Sequence, residues 1–296
     1  MKSKRKTRAL TITLVGSGSL AHALGAALRS AGYRIKSVVF RNTTASKKRA
    51  AALAARVGAK PVALDEVLAS QPAADIVWIC HTDDALPATA RRLAAQPGWQ
   101  GKIALHSSGA LTSDVLAPLR RAGAHAASLH PMMTFVPGTT PGLKGVPFAV
   151  EGDRQAVAAA KTIVARLGAE VFAIEKRFKV LYHALGSFSS PLLVATLATA
   201  ERVGQGAGLS RQQTRRIMAP ILRQTLKNYL DRSAAAAFSG PIKRGDLNTV
   251  RRHLRELKRV PEAREVYRAL VRSAVRDLPA ARRQELLRAV TTKERG

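Results

Sequence analysis

Gly16 and Gly18 stand between an apolar, β-branched run, Leu10 to Val15, and an alanine-rich segment in which Leu20, Leu24 and Leu28 keep helical spacing. The pattern reads as strand, glycine turn, helix. Gly32 closes the helix, and a second β-branched run from Ile35 to Phe40 completes a unit of roughly 30 residues, the size of a βαβ crossover. Sterics give the glycines their reason: Gly16 makes the tight turn, and Gly18 lets backbone approach a pyrophosphate at the positive end of the helix dipole. Ala21 fills the third position of the fingerprint, where close helix packing wants a small residue. Gly16, Ser17, Gly18, Ser19 and Leu20 are therefore expected to bind a dinucleotide.

The end of the second strand selects the cofactor. An acidic side chain there bonds a ribose 2′-hydroxyl, whereas an arginine accommodates a 2′-phosphate. Here the strand runs into Arg41, Asn42 and Thr43, which favours NADP.

The chain has 296 residues, 46% of them hydrophobic, enough to bury a large core and most naturally to make two domains. No run is read as the roughly 18 consecutive apolar residues a membrane span needs. The first eight residues, MKSKRKTR, read as a basic disordered arm, and a single cysteine, Cys80, fits a reducing, cytoplasmic compartment. A net charge of +30 raises the question of nucleic acid. Against it, the arginines are spread along the whole chain, only 4% of residues are aromatic, and basic residues do not alternate with stacking rings. Specific nucleic-acid binding is therefore not expected, while non-specific attraction of polyanions at low salt is.

Further along, Ala45 to Val57 reads as a helix stopped by Gly58 and Pro61, Asp65 to Leu68 as a short helix, and Ala74 to His81 as a buried parallel strand. His81, Thr82 and Asp83 then fall at the carboxyl end of that strand beside the cofactor crevice, with capping of the next helix as the plainer role for Thr82 or Asp83. Two more strands end in histidine: Lys102 to His106 runs into Ser107, Ser108 and Gly109, and a strand around residues 126–129 runs into His130 and Pro131. These residues are candidates for the floor of the nicotinamide and substrate pocket. From Gly145 one more βαβ extends the sheet. After Lys176 long helical periods take over, with a capping box at Ser210 and Gln213, a kink expected at Pro220, and a loop at residues 240–245 that Gly240, Pro241 and Gly245 keep from being helical. In that loop Lys243 and Arg244, ahead of an N-cap at Asp246, suit an anionic group of cofactor or substrate.

Two strings, SLHPMMTF (residues 128–135) and GPIKRGDLNTVRRHL (residues 240–254), together with HSSGALTSDVL and LYHA, resemble the bacterial family described as a Rossmann-like protein joined to the domain of unknown function 2520. The resemblance covers nearly the whole chain. It implies kinship with 6-phosphogluconate dehydrogenases, β-hydroxyacid dehydrogenases, ketopantoate reductases and pyrroline-5-carboxylate reductases. The fold class it implies is α/β: an NADP-binding Rossmann-type parallel-sheet domain (residues 9–176), then an all-helical domain (residues 177–296) that shapes the substrate cleft and dimerises. In β-hydroxyacid dehydrogenases a lysine on the first helix of the second domain is the general acid or base, with an asparagine one turn later. Here Lys179 is followed at i+4 by His183, and Pro191 stands where relatives sharing LYHA are expected to carry asparagine. Lys179, His183, Ser187 and Ser190 share one helical stripe. Histidine needs little pKa adjustment to act near neutral pH, whereas lysine needs several units.

The expectation is a cytoplasmic, homodimeric, NADP-dependent oxidoreductase that moves hydride to or from a small, anionic carbonyl or imine compound. Lys179 and His183 are its acid–base pair, and it has no metal. Two other readings stay open: a catalytically silent dinucleotide sensor or scaffold, and a polyanion-binding protein.

Overall fold

A computed structural model describes residues 10–69 and 74–291. The basic arm read at residues 1–8 lies outside the described residues. The chain divides into two compact units, residues 1–187 and residues 188–296.

The first unit is built on an eight-stranded sheet: β1 (Thr11–Val15), β2 (Arg34–Phe40), β3 (Lys60–Ala63), β4 (Ile76–Ile79), β5 (Ile103–His106), β6 (His125–Pro131), β7 (Pro147–Gly152) and β8 (Glu170–Ala173). Its order is β3-β2-β1-β4-β5-β6-β7-β8. All neighbours are parallel except β6 and β7, which run antiparallel. The chain therefore winds outward from β1 in one direction to β3, then starts again at β4 on the other side. The carboxyl ends of β1 and β4 flank the switch point, where open α/β sheets form a ligand crevice.

Six helices accompany these strands: α1 (Ser19–Ser30), α2 (Thr44–Val57), α3 (Leu64–Leu68), α4 (Leu86–Ala94), α5 (Ala117–Arg121) and α6 (Arg154–Arg166). Both sheet faces are covered, so the central strands are apolar without alternation. In β4, Ile76 and Trp78 join the core formed with Leu24, Leu28, Leu53 and Ile163, while Val77 and Ile79 join the opposite core formed with Leu86, Leu93, Trp99 and Leu119. The βαβ after Gly145 is present as β7, α6 and β8, although the antiparallel entry into β7 is not visible in the sequence. Helix α2 stops at Val57 with Gly58 as its left-handed cap, as expected, while strand β3, which contains Pro61, was not read from the sequence. Proline is tolerated because β3 lies at the sheet edge, where its missing N–H breaks no ladder.

Helix α7 (Lys179–Ser189) runs across the end of the first unit, and Ser190 separates it from α8 (Pro191–Gly206), where the sequence suggests one helix. Proline starts a helix well at N1, whereas inside one it removes a hydrogen bond and crowds the preceding turn, which favours a break at Pro191. By length and composition the stretch from Lys176 to Gly206 is apolar enough to cross a membrane, although it holds no run of 18 consecutive apolar residues and is divided between α7 and α8. Within it, however, Lys179 is fully buried in a polar network of the first unit.

The second unit is helical: α8, α9 (Arg211–Asp231), α10 (Ala234–Ala237), α11 (Pro241–Arg244), α12 (Leu247–Glu256), α13 (Pro261–Asp277) and α14 (Arg283–Thr291). Ser210 and Gln213 form the expected capping box, Asp246 caps α12 through the Thr249 amide, and α9 continues through Pro220. The segment read as a loop at residues 240–245 contains one helical turn, α11. Pro241 occupies N1, where its missing N–H is harmless, and Gly245 ends the turn. Leu247, Val250, Leu254, Val271, Val275, Leu286 and Val290 form this unit's core.

Candidate functional site

The strand ends that carry the candidate residues lie side by side: β1 gives Gly16 to Gly18, β4 gives His81 to Asp83, β5 gives Ser107 to Gly109, and β6 gives His130 and Pro131.

At β1 the two glycines do different work. Gly16 has φ +114°, and a Cβ on it would meet the Cys80 carbonyl oxygen and His81 Cδ2, each at 2.9 Å, so only glycine fits. Gly18 is the N-cap of α1 in ordinary extended backbone, and a Cβ there would meet nothing within 4 Å. The protein itself therefore does not require glycine at 18; the space above it is open. The first turn of α1 carries no acidic residue, and the amides of Ser19, Leu20 and Ala21 are the unpaired donors of a helix N-terminus. Ala21 is fully buried, as the third fingerprint position requires.

The turn after β2 is tied to this loop. Ser17 Oγ donates to the Ser46 carbonyl (3.4 Å), the Arg41 amide donates to Ser46 Oγ (3.2 Å), and the Ser46 amide donates to Thr43 Oγ1 (3.2 Å), which caps α2. Buried Ser46 is thus internal mortar, whereas Lys47 and Lys48 are exposed. Asn42 donates to Asp65, which also pairs with Arg92 (2.6 Å). Arg41 is exposed and makes no ion pair among the described residues.

At β4, His81 Nδ1 lies 2.7 Å from Thr89 Oγ1. That hydroxyl donates to the Ala85 carbonyl (2.9 Å), so it accepts from His81, and the ring carries its proton on Nδ1. Burial, with the Arg41 charge second, lowers the His81 pKa to about 4. Neither Thr82 nor Asp83 caps the following helix, whose N-cap is Ala85; the Thr82 carbonyl accepts from the amides of Ala85 and Leu86.

The β5 end separates structural groups from cleft-facing ones. His106 is fully buried, with Nε2 3.2 Å from the Thr112 carbonyl and Nδ1 accepting from the Ser108 amide (3.1 Å). Burial, then the Lys179 charge, lowers its pKa to about 3. It braces the loop rather than facing a ligand. Ser107 Oγ accepts from Trp78 Nε1 (2.8 Å), and Ser108 Oγ from the amides of Ala110 (3.2 Å) and Leu111 (2.8 Å). Gly109 is left against the histidines: a Cβ there would lie 2.5 Å from His183 Cδ2 and 2.8 Å from His130 Nε2.

Lys179, the lysine expected to exchange protons, lies beneath this surface. It is fully buried, with Nζ donating to Ser128 Oγ (2.7 Å) and the Ser108 carbonyl (3.2 Å), and it is 4.0 Å from Glu151 Oε1. Ser128 and Glu151 face each other across the antiparallel β6–β7 pair. Glu151 accepts from the Ser113 amide (2.6 Å) and hydroxyl (2.7 Å), and Arg120 donates to that hydroxyl (2.7 Å). Burial lowers the Lys179 pKa against the opposing pull of Glu151 and then Asp83. This network anchors the first turn of α7 to the sheet.

One turn on, Tyr182 and His183 reach the β6 end. His130 Nδ1 is 3.0 Å from Tyr182 Oη, and the His130 ring stands edge-on to Tyr182 and His183 at 5.5 and 6.0 Å between centroids. Tyr182 also meets Phe172 edge-on at 5.8 Å. Burial first, then the Lys179 and His183 charges, lower the His130 pKa to about 4, and burial raises that of Tyr182 to about 12. His183 is exposed and Pro131 is buried. Tyr182, absent from the sequence-based candidates, was signalled only by lying in the LYHA string. Lys243 and Arg244 belong to α11 of the second unit.

Residues 1–131 match a Rossmann-like domain, and residues 146–274 match a domain of unknown function, DUF2520. No curated protein matches the chain. Among solved structures, a Bacteroides fragilis protein described as a candidate NADP oxidoreductase aligns over 90% of this chain and 97% of its own, with 24% identity and TM-score 0.75. A Thermotoga maritima protein aligns over 94% and 97%, with 23% identity and TM-score 0.68. An Aspergillus terreus reductive aminase, in complex with NADPH and ethyl-5-oxohexanoate, aligns over 95% and 99%, with 19% identity and TM-score 0.63. At these identities the likeness is one of fold.

Proposed function

Because the chain belongs to the proteins that couple a Rossmann-like domain to DUF2520, we propose that it is an NADP-dependent oxidoreductase acting on a small carbonyl or imine compound. The observation that carries this reading is the open space over Gly18, beside the unpaired amides of α1 and within reach of a strand end that offers Arg41 in place of an acid. A pyrophosphate fits that cradle, and the exposed Arg41 guanidinium suits a 2′-phosphate. Asn42 and Thr43 shape the same turn, while His81, Thr82 and Asp83 border the nicotinamide side. The fold-level kinship with proteins solved with NADPH or NADP+ agrees with this.

When bound, the cofactor supplies hydride. The chain's own contribution lies at Gly109, His130 and His183, of which His183 is the exposed ring. We assign Lys179 to holding α7 in place, since its ammonium is enclosed and its hydrogen bonds are taken by Ser108, Ser128 and the nearby Glu151. The same enclosure leaves no exposed cation from Lys179 for an anionic substrate, which favours a neutral acceptor group at this corner. A homodimer is part of the same proposal, supported by the apolar surface of the second unit: α8 buries only Gly204 and α9 only Thr214, while Leu192, Val194, Ile217, Ile221 and Leu230 are exposed. The lone cysteine agrees with a cytoplasmic protein.

Titration with NADPH and NADH tests the reading. Tight binding of NADPH is expected, and Arg41→Asp should weaken NADPH much more than NADH. Failure of both nucleotides to bind at millimolar concentration would overturn it. A dinucleotide sensor, the reading favoured by the enclosure of Lys179, would bind NADPH and turn over no ketone or cyclic imine.

A further inference from the structure

The corner where β5, β6 and α7 meet contains one polar group whose orientation the protein fixes and whose outer side it leaves unused. We propose that His130 receives the acceptor heteroatom of the substrate, a carbonyl oxygen or imine nitrogen, through an Nε2–H whose tautomer is set by Tyr182. The proposal deepens the oxidoreductase reading and rests on it for the substrate class.

The tautomer follows from counting protons. Tyr182 stays protonated because burial disfavours the phenolate, and its hydroxyl has one protein partner among the described residues, His130 Nδ1 at 3.0 Å. Were Nδ1 the donor, the tyrosine proton would have no acceptor among the described residues. The hydroxyl therefore donates, Nδ1 accepts, and the ring proton resides on Nε2. Nε2 has no hydrogen-bond partner among the described residues, yet it is not among their sealed, unsatisfied polar atoms, so it opens outward. It does so beside Gly109, where a side chain would collide with it.

The charged and titratable groups facing His130 are Lys179, His183, Tyr182 and the buried His106. The first two oppose a positive imidazolium, so the ring works as a neutral donor. His183, its edge-on neighbour, has no hydrogen-bond partner on its ring nitrogens among the described residues and is not locked in this way. A fixed N–H aimed at a heteroatom favours the charge that develops there as hydride reaches the adjacent carbon. The π pair moves to that heteroatom, and one proton from water completes the alcohol or amine.

The test uses the full chain labelled with ¹⁵N-histidine. Long-range ¹H–¹⁵N spectra between pH 6 and 8.5 report each tautomer, and loss of one signal in His130→Gln assigns that ring among the seven histidines. The expected result is a single Nε2–H tautomer that does not titrate, becoming a mixture in Tyr182→Phe. Addition of NADP⁺ with 2-pyrrolidinone, an unreactive cyclic amide, should then shift the His130 Nε2 resonance. An Nδ1–H tautomer in the parent protein, an unchanged tautomer in Tyr182→Phe, or a resonance indifferent to NADP⁺ plus 2-pyrrolidinone would each overturn the proposal. NADPH binding measured in parallel separates the two claims: no binding sinks the oxidoreductase reading, whereas binding with an indifferent His130 sinks only this one. In NADPH oxidation with ketones and cyclic imines, His130→Phe should lower kcat about 10²-fold or more while leaving NADPH affinity unchanged.

Discussion

At the residue scale, the site depends on two positions whose importance is steric and electrostatic rather than chemical. Gly109 lets two imidazole rings approach the backbone; Gly109→Ala would set a methyl group 2.5 Å from His183 and 2.8 Å from His130. Overpacking of that kind costs about 1–3 kcal/mol, and urea unfolding should show it together with displaced His130 and His183 resonances. Lys179 is the second. Removing one partner of a buried ion pair leaves an uncompensated charge and costs about 3–5 kcal/mol, so Lys179→Met should lower the urea midpoint sharply. Lys179→Met with Glu151→Gln should recover much of that loss, because the stranded carboxylate is gone. A lysine that instead served only as an acid–base group would lose activity on substitution and keep its stability.

At the scale of elements, the carboxyl ends of β4, β5 and β6 each present a histidine held neutral: His81 and His130 near pKa 4, His106 near 3, against an unfolded value near 6.5. Below the unfolded pKa the unfolded chain binds more protons than the folded one. The stability contributed by these rings is therefore fully present above about pH 6.5 and is lost as pH falls through 4 and then 3. For fully buried His106 the slope reaches about 1.4 kcal/mol per pH unit. Urea unfolding at pH 7, 6 and 5 should show falling stability, and a flat profile would contradict neutral burial. The elements themselves were largely legible in the sequence: the βαβ unit, the buried β4, the capping box at Ser210 and Gln213 and the helical second half all follow from local patterns. Strand β3 was not, because Pro61 is acceptable only at an edge, and edge position is a property of the assembled sheet. The break at Ser190 and Pro191 and the single turn of α11 were missed for a related reason: proline at N1 permits helix as readily as it ends one.

At the scale of the whole molecule, the exposed apolar faces of α8 and α9 are too extensive for helices that bury almost nothing else. Light scattering should give twice the mass of one chain, and Ile217→Glu with Ile221→Glu should halve it; a monomeric parent protein would contradict the homodimer. The +30 charge predicts retention on a polyanion matrix that falls steeply with salt, whatever the specific function. The amino-acid order alone determined the glycine turn, the basic end of β2 and most of the succession of strands and helices, because each is written in the spacing of neighbours along the chain. Tertiary structure decided which histidine is sealed and which is open, and it enclosed Lys179, a reactive candidate by sequence, in a buried hydrogen-bond network. It also drew Tyr182 to His130 across 52 positions of sequence. Burial and hydrogen-bond partnership are set by residues far apart in the chain, and no local pattern records them.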